Sequence, residues 1–157
     1  MITILFRGKR KDTGEWVEGS LCVGQDAVYI VRDEDFYVTN INRYGVLCSD
    51  RFYEVDPETV GQYTGLTDKA GKLIFEGDIL GGDPNYAKHY GNPVIEIGDW
   101  TDDEYSLRNG EDEYDDSNHP GGYGVVLVGK KFRTGLSADT AANFKIIGNI
   151  YDTEATT

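Results

Sequence analysis

Twenty-eight carboxylates in 157 residues make acid–base or metal chemistry the first thing to look for. Two groupings bring carboxylates close together: Glu54, Asp56 and Glu58 around Pro57, and Glu76 and Asp78 around Gly77. Either could share a proton or hold a divalent ion if its oxygens converged. The local sequence points elsewhere. Pro57 fixes its own φ and drives Asp56 out of the helical region, so Asp56 is expected to cap a turn while Glu54 and Glu58 stay solvated. Along Phe75-Glu76-Gly77-Asp78-Ile79, strand alternation places Phe75, Gly77 and Ile79 on one face and Glu76 and Asp78 on a solvated outer face.

The other reactive side chains are few. His89 and His119 both sit among Gly, Pro and Asn and read as exposed loop residues. Cys22 and Cys48 lie in apolar surroundings (Leu21-Cys22-Val23, Val46-Leu47-Cys48) with no Cys or His at metal-ligand spacing. They are expected to be buried free thiols in a reducing compartment, with a disulfide between them as the alternative. No phosphate-binding Gly-x-x-x-x-Gly-Lys-Ser/Thr, no Gly-x-Ser-x-Gly and no His-Glu-x-x-His occurs. The expectation is therefore no catalytic residue, no bound metal and no cofactor.

One segment concentrates charge. From Asp99 to Asp116 nine residues are acidic and one, Arg108, is basic, which gives this stretch −8 of the chain's −13. The Asp/Asn spacing of a calcium-binding EF-hand is absent from it. Its candidate partner-binding residues are Asp102, Asp103, Glu104, Glu111, Asp112, Glu113, Asp115 and Asp116. Carboxylates spaced along a surface can imitate nucleic-acid phosphates and occupy a basic groove, while the plainer reading is a long, mobile, solubilising loop anchored by Trp100, Tyr105 and Tyr114.

The elements that would position these groups are mostly strands. Ile2, Ile4 and Phe6 alternate with Thr3, Leu5 and Arg7, and Lys11-Asp12-Thr13-Gly14 turns the chain into Glu15–Val23 as a hairpin partner. Ala27–Val31 is a continuous β-branched and aromatic run, as in a buried strand. Phe36–Thr39 and Gly45–Cys48 are weaker strands. Val60–Leu66 and Leu73–Leu80 flank a polar loop and read as a second hairpin, with 73–80 one continuous central strand. Gly81-Gly82-Asp83-Pro84-Asn85 breaks the pattern. Val94–Gly98, Gly121–Gly129 and Lys145–Asp152 complete the strands. One short helix is expected from Ser137 to Phe144, with Ser137 as N-cap. Gly77 and Gly148 are expected where a side chain or a negative φ would not fit. The expected core is Phe6, Trp16, Val28, Ile30, Val60, Tyr63, Leu66, Ile74, Phe75, Ile79, Val125, Leu127, Ile147 and Ile150.

The length suits one domain, or one domain with a small appendage, and a chain of this size can hold a core without disulfides or metal. A net charge of −13 and a pI near 4.4 argue against direct binding to nucleic acid or anionic lipid, which needs clustered Lys and Arg. No apolar run approaches a membrane span. The run before Arg7 is too short for the apolar region of a signal peptide, so a cytoplasmic location is expected.

Residues 52–80, Phe-Tyr-Glu-Val-Asp-Pro-Glu-Thr-Val-Gly-Gln-Tyr-Thr-Gly-Leu-Thr-Asp-Lys-Ala-Gly-Lys-Leu-Ile-Phe-Glu-Gly-Asp-Ile-Leu, closely resemble the central motif of the YopX family of phage and prophage proteins. Phe6-Arg7-Gly8-Lys9-Arg10 with Gly14-Glu15-Trp16-Val17-Glu18-Gly19, and Ile147-Gly148-Asn149-Ile150-Tyr151-Asp152, agree at the two ends, whereas 81–143 match less well and the acidic insertion at about 99–118 departs from the pattern. The resemblance implies an all-β protein with one short helix: an N-terminal β-rich segment, 1–55, packing on an SH3-like β-barrel region, 56–157. It also implies a phage or prophage origin, hence the cytoplasm of a bacterial host, and it carries no activity with it.

Three functions fit these observations. The first is a non-enzymatic accessory protein that binds another protein, or itself as a homo-oligomer, since 11 Tyr exceed what a core of this size requires. The second is an acidic nucleic-acid mimic that blocks a basic host or phage protein. The third is a metal-dependent enzyme working through paired carboxylates.

Overall fold

The computed structural model describes residues 3–41, 43–82, 84–100, 122–130 and 133–152. The chain divides into two compact units, Met1–Tyr63 and Thr64–Thr157. Strands dominate both.

In the first unit, β1 (Phe6–Lys9) and β2 (Trp16–Val23) form an antiparallel hairpin in register from Phe6↔Gly19 to Lys9↔Trp16. Gly14, at φ +72, supplies the backbone that the turn needs. With eight residues, β2 is long enough to serve two partners: its second half pairs with β3 (Val28–Val31), from Ser20↔Val31 to Val23↔Val28. Gly19 lies where the chain changes partner, and a Cβ there would collide with the Val31 carbonyl. Farther along the chain come β4 (Phe36–Ile41), β5 (Tyr44–Ser49) and β6 (Tyr53–Val55), the last pairing with β3. The Asp56 carboxylate accepts from the Glu58 N–H at 3.1 Å and caps a 3-10 turn over Pro57–Thr59, so it is a turn cap as the proline predicts. Then β7 (Gly61–Thr67) begins beside β1, giving the order β6-β3-β2-β1-β7. Val17, Ile30 and Val55 form the buried core, with Phe6, Leu21, Val28, Tyr53 and Val60 packed on it.

In the second unit, the later part of β7 pairs with β8 (Leu73–Phe75), and the Thr64 hydroxyl donates to the Ile74 carbonyl. β9 (Asp78–Gly81) lies between β13 (Lys145–Asn149) and β10 (Val94–Trp100) in a five-stranded sheet that continues through β11 (Gly122–Val128) and β12 (Arg133–Gly135), in the order β12-β11-β10-β9-β13. Among the described residues the sheet does not close into a barrel. Its core is Ile74, Leu80, Ile95, Leu127, Ala141 and Phe144.

Several expectations give way here. Among the described residues two α-helices are present rather than one: α1 (Pro84–Tyr90) and α2 (Ala138–Ala141). Pro84 opens α1 instead of merely breaking a strand, because the missing N–H of a first-turn proline has no intrahelical role, and Gly91 at φ +73 ends the helix with its N–H on the Ala87 carbonyl. His89 therefore belongs to a helix and not to a loop. Ser137 caps α2 as expected, accepting from the Thr140 N–H at 3.3 Å.

Residues 73–80 are two strands with a turn at Glu76-Gly77, where Gly77 has φ +89. The turn resets the alternation. Asp78 is consequently 1% exposed rather than solvated, and Leu80, not the half-buried Ile79, enters the core. The Asp78 carboxylate accepts from the Phe75 N–H at 2.8 Å and from the Asn149 side-chain amide at 3.1 Å. Ile147 and Ile150 are exposed, while Ile146 packs on the core: a register shift between Ile146 and Gly148 in the β13–β9 pair moves the inward position by one residue. Gly148 has open space around it and no positive φ. Cys22 and Cys48 are free, but both are half-buried rather than buried, because each sits on a strand with a solvent-facing side. No helix among the described residues is long and apolar enough to cross a membrane.

Candidate interaction surface

The ribbon β4–β5 is the described element whose side chains have the least cover. Its register is regular over six pairs, from Phe36↔Ser49 through Val38↔Leu47 to Ile41↔Tyr44. Directly opposed residues share a face, so Tyr37, Thr39, Ile41, Tyr44, Val46 and Cys48 lie on one side and Phe36, Val38, Asn40, Gly45, Leu47 and Ser49 on the other. A half-buried strand pairs one apolar face with one polar face; here both faces are apolar. Tyr44 is 75% exposed, Val38 68%, Leu47 65% and Ile41 55%, and Tyr37 and Val46 are also exposed. None of the twelve strand residues is charged or proline, in a chain that is 27% charged.

The ribbon is held at its base and free along its length. At the tip, Arg43 takes φ 72, the left-handed conformation that lets a two-residue connection follow strand twist. At the base, the Tyr37 hydroxyl donates to Asp50 at 2.9 Å, and this bond to the nearby carboxylate raises the tyrosine's pKa. Ser49 and Arg51 close a local turn through the Ser49 hydroxyl. Before β4, a 3-10 turn over Asp33–Asp35 is fixed by Arg32, which pairs with Asp35 at 2.9 Å and lies over the Tyr53 ring at 5.1 Å. Among the described residues β4 and β5 pair only with each other, which leaves both outer edges of the ribbon unpaired.

A cleft of about 450 Å³ lies between the Arg10–Asp12 turn and the Asp50–Glu54 stretch. Its charges are largely satisfied by one another. Arg10 grips Asp12 through two bonds of 2.7 and 3.0 Å, which raises the arginine and lowers the carboxylate, and Lys11 pairs with Glu54 at 2.9 Å. Glu54 is thus an ion-pair partner rather than a free carboxylate. Arg10 stacks on Tyr53 at 4.7 Å, on the ring that Arg32 also covers. The arrangement fixes two turns and offers no paired carboxylates of the kind that share a proton.

The carboxylates singled out in the sequence do not converge. Asp56 caps a turn, Asp78 is a buried acceptor, and among the described residues no group of three or more His, Cys, Asp or Glu side chains could hold a metal ion. Asp102, Asp103, Glu104, Glu111, Asp112, Glu113, Asp115 and Asp116, together with His119, lie outside the described residues. The ribbon was legible as two weak strands but not as a surface. The signal present in the sequence was the lack of charge in Phe36–Ile41 and Tyr44–Ser49, where an exposed strand would carry Lys or Glu.

No curated protein matches the chain. The family model described as YopX protein matches residues 5–155, and with nearly its whole length covered the chain belongs to the YopX family.

Proposed function

We propose that the chain is a non-enzymatic protein-binding module, an accessory protein of a phage or prophage, and that the β4–β5 ribbon is its recognition surface. The observation that carries this reading is a ribbon apolar on both faces, with two edges unpaired among the described residues and no charged strand residue. Apolar surface of that extent rimmed by polar groups marks an interaction site, and a two-stranded ribbon by itself is marginally stable in water, so a covering partner benefits both. In the same reading the second unit is the SH3-like region that the family resemblance implies, and it serves as the scaffold.

Site-specific photocrosslinking in phage-carrying bacteria tests the proposal. A photoreactive residue placed at Leu47 should give discrete protein adducts. The same residue at Ile147, also exposed and apolar but on β13, should give none. Adducts at neither position, or the same adducts at both, would contradict the assignment of the ribbon.

A further inference from the structure

We propose that Tyr53 is the positioning residue of the ribbon: its ring, rooted in the core of the first unit, holds Arg32 and so keeps β4–β5 ordered before a partner arrives. This role rests on the reading of the ribbon as the recognition surface and adds how that surface is kept ready. Ordering it in advance lowers the cost of binding.

The ribbon needs such support. A two-stranded hairpin by itself is marginally stable in water, and no residue of β4 or β5 is fully buried. Residues 33–52 leave the sheet after β3 and rejoin it at β6, so the ribbon is a long excursion that depends on closure at its neck. Backbone pairing of β3 with β6 runs from Val28↔Val55 to Ile30↔Tyr53. Beyond that last pair, side chains span the neck: Arg32 lies over the Tyr53 ring, and the Tyr37 hydroxyl donates to Asp50. The Tyr37 bond joins two exposed side chains, whereas the Arg32 contact is anchored at both ends.

At one end, Tyr53 packs on the core of Val17, Ile30 and Val55. Its strand is held from two sides, by β3 and by the β1–β2 turn, where Arg10 bridges Val55 and the Lys11 N–H donates to the Glu54 carbonyl at 3.0 Å. At the other end, Arg32 follows the completely buried Val31. Its guanidinium reaches Asp35 at 2.9 Å and Glu34 at 3.4 Å, and the Asp35 side chain is only 12% exposed. Both carboxylates belong to the 3-10 turn that leads into β4. A guanidinium can stack on a ring by its face while it donates to carboxylates from its edge, so one side chain ties the entry of the ribbon to the strand that receives its exit.

Hydrogen exchange of the purified full chain, read at the β4–β5 ladder amides with the β10–β11 ladder as reference, tests this role. Tyr53→Leu keeps an apolar side chain but has no π face, and should speed ribbon exchange about tenfold while the reference is unchanged. Tyr53→Phe keeps the ring and should stay within about twofold of native. Arg32→Ala should speed exchange at least as much as Tyr53→Leu. Because the two substitutions remove one shared contact, the double variant should be no faster than Arg32→Ala, where independent effects would multiply. Arg32→Ala alters no core side chain, so its result does not depend on how Tyr53→Leu packs. Crosslinking from position 47 should fall in Arg32→Ala and persist in Tyr53→Phe. Ribbon exchange indifferent to Arg32→Ala, Tyr53→Phe as fast as Tyr53→Leu, or multiplied effects in the double variant would each overturn the clamp. Undiminished crosslinking in a variant whose ribbon exchanges faster would overturn its part in binding. No adducts from position 47 of the native chain would instead contradict the recognition surface, and the exchange results would still decide the clamp.

Discussion

Two antiparallel hairpins of this chain, β10–β11 and β4–β5, have similar strand lengths and opposite surroundings. β10–β11 is covered by the rest of the chain: Ile95 faces Leu127 in the core, and on the opposite face Val126, paired with Glu96, is also completely buried, while Glu96 itself reaches Arg133 in an ion pair of 2.5 Å. In β4–β5 apolar residues occupy both sides, and none is fully buried. Local propensity makes a strand in either case. What separates the two is whether the chain supplies its own cover, and where it does not, the missing cover becomes evidence about binding.

The largest test of that contrast uses one substitution in both regions. Leu80→Ala should cost about 2–5 kcal/mol, because Leu80 is completely buried in the core of the second unit. Leu47→Ala removes the same atoms from an exposed site and should change stability by less than about 0.5 kcal/mol. Urea unfolding at a concentration that keeps the protein monomeric measures both, and equal costs would show that the ribbon is covered within the chain.

A smaller effect is expected at Asp68. Burial pushes its carboxyl pKa up, but the N–H groups of Ile146, Lys72 and Ala70, at 2.8–3.0 Å, and the Lys72 charge hold it net below its usual value of 3.8. Asp68→Ala leaves those three donors without the acceptor and should cost about 1–3 kcal/mol near neutral pH. A lowered folded-state pKa means that the carboxylate's contribution is complete above the unfolded value and is lost as pH falls through the folded one. The gap between native and variant should therefore narrow below about pH 3.8, which thermal unfolding across an acid series would record. A constant gap would show that charge has no part in the anchoring.

The smallest expected difference separates two glycines. Gly77→Ala should cost about 1–2 kcal/mol, since φ is +89 and the new Cβ would lie 3.2 Å from the Asn149 side chain. Gly148→Ala meets open space and should fall within about 0.5 kcal/mol of native.

Strand patterning and turn chemistry were readable where one physical rule acted alone. The β1–β2 turn, the buried run of β3, the Asp56 cap and the Ser137 cap all followed from local sequence. The rules failed where a second one intervened. A glycine at positive φ cut residues 73–80 into two strands, so Asp78 and Leu80 turned inward against the expected alternation, and a register shift in β13 turned Ile147 outward. Pro84 was a helix start that looked like a stop. The ribbon was harder for a different reason: exposure depends on what the rest of the chain leaves uncovered, and no local pattern in Phe36–Ser49 encodes that.

Hydrogen exchange on the purified chain tests the central claim most directly. The β5 amides that do not bond to β4 should exchange quickly, while those of the β10–β11 ladder are protected. Outer β5 amides protected as strongly as the β10–β11 ladder would contradict the account.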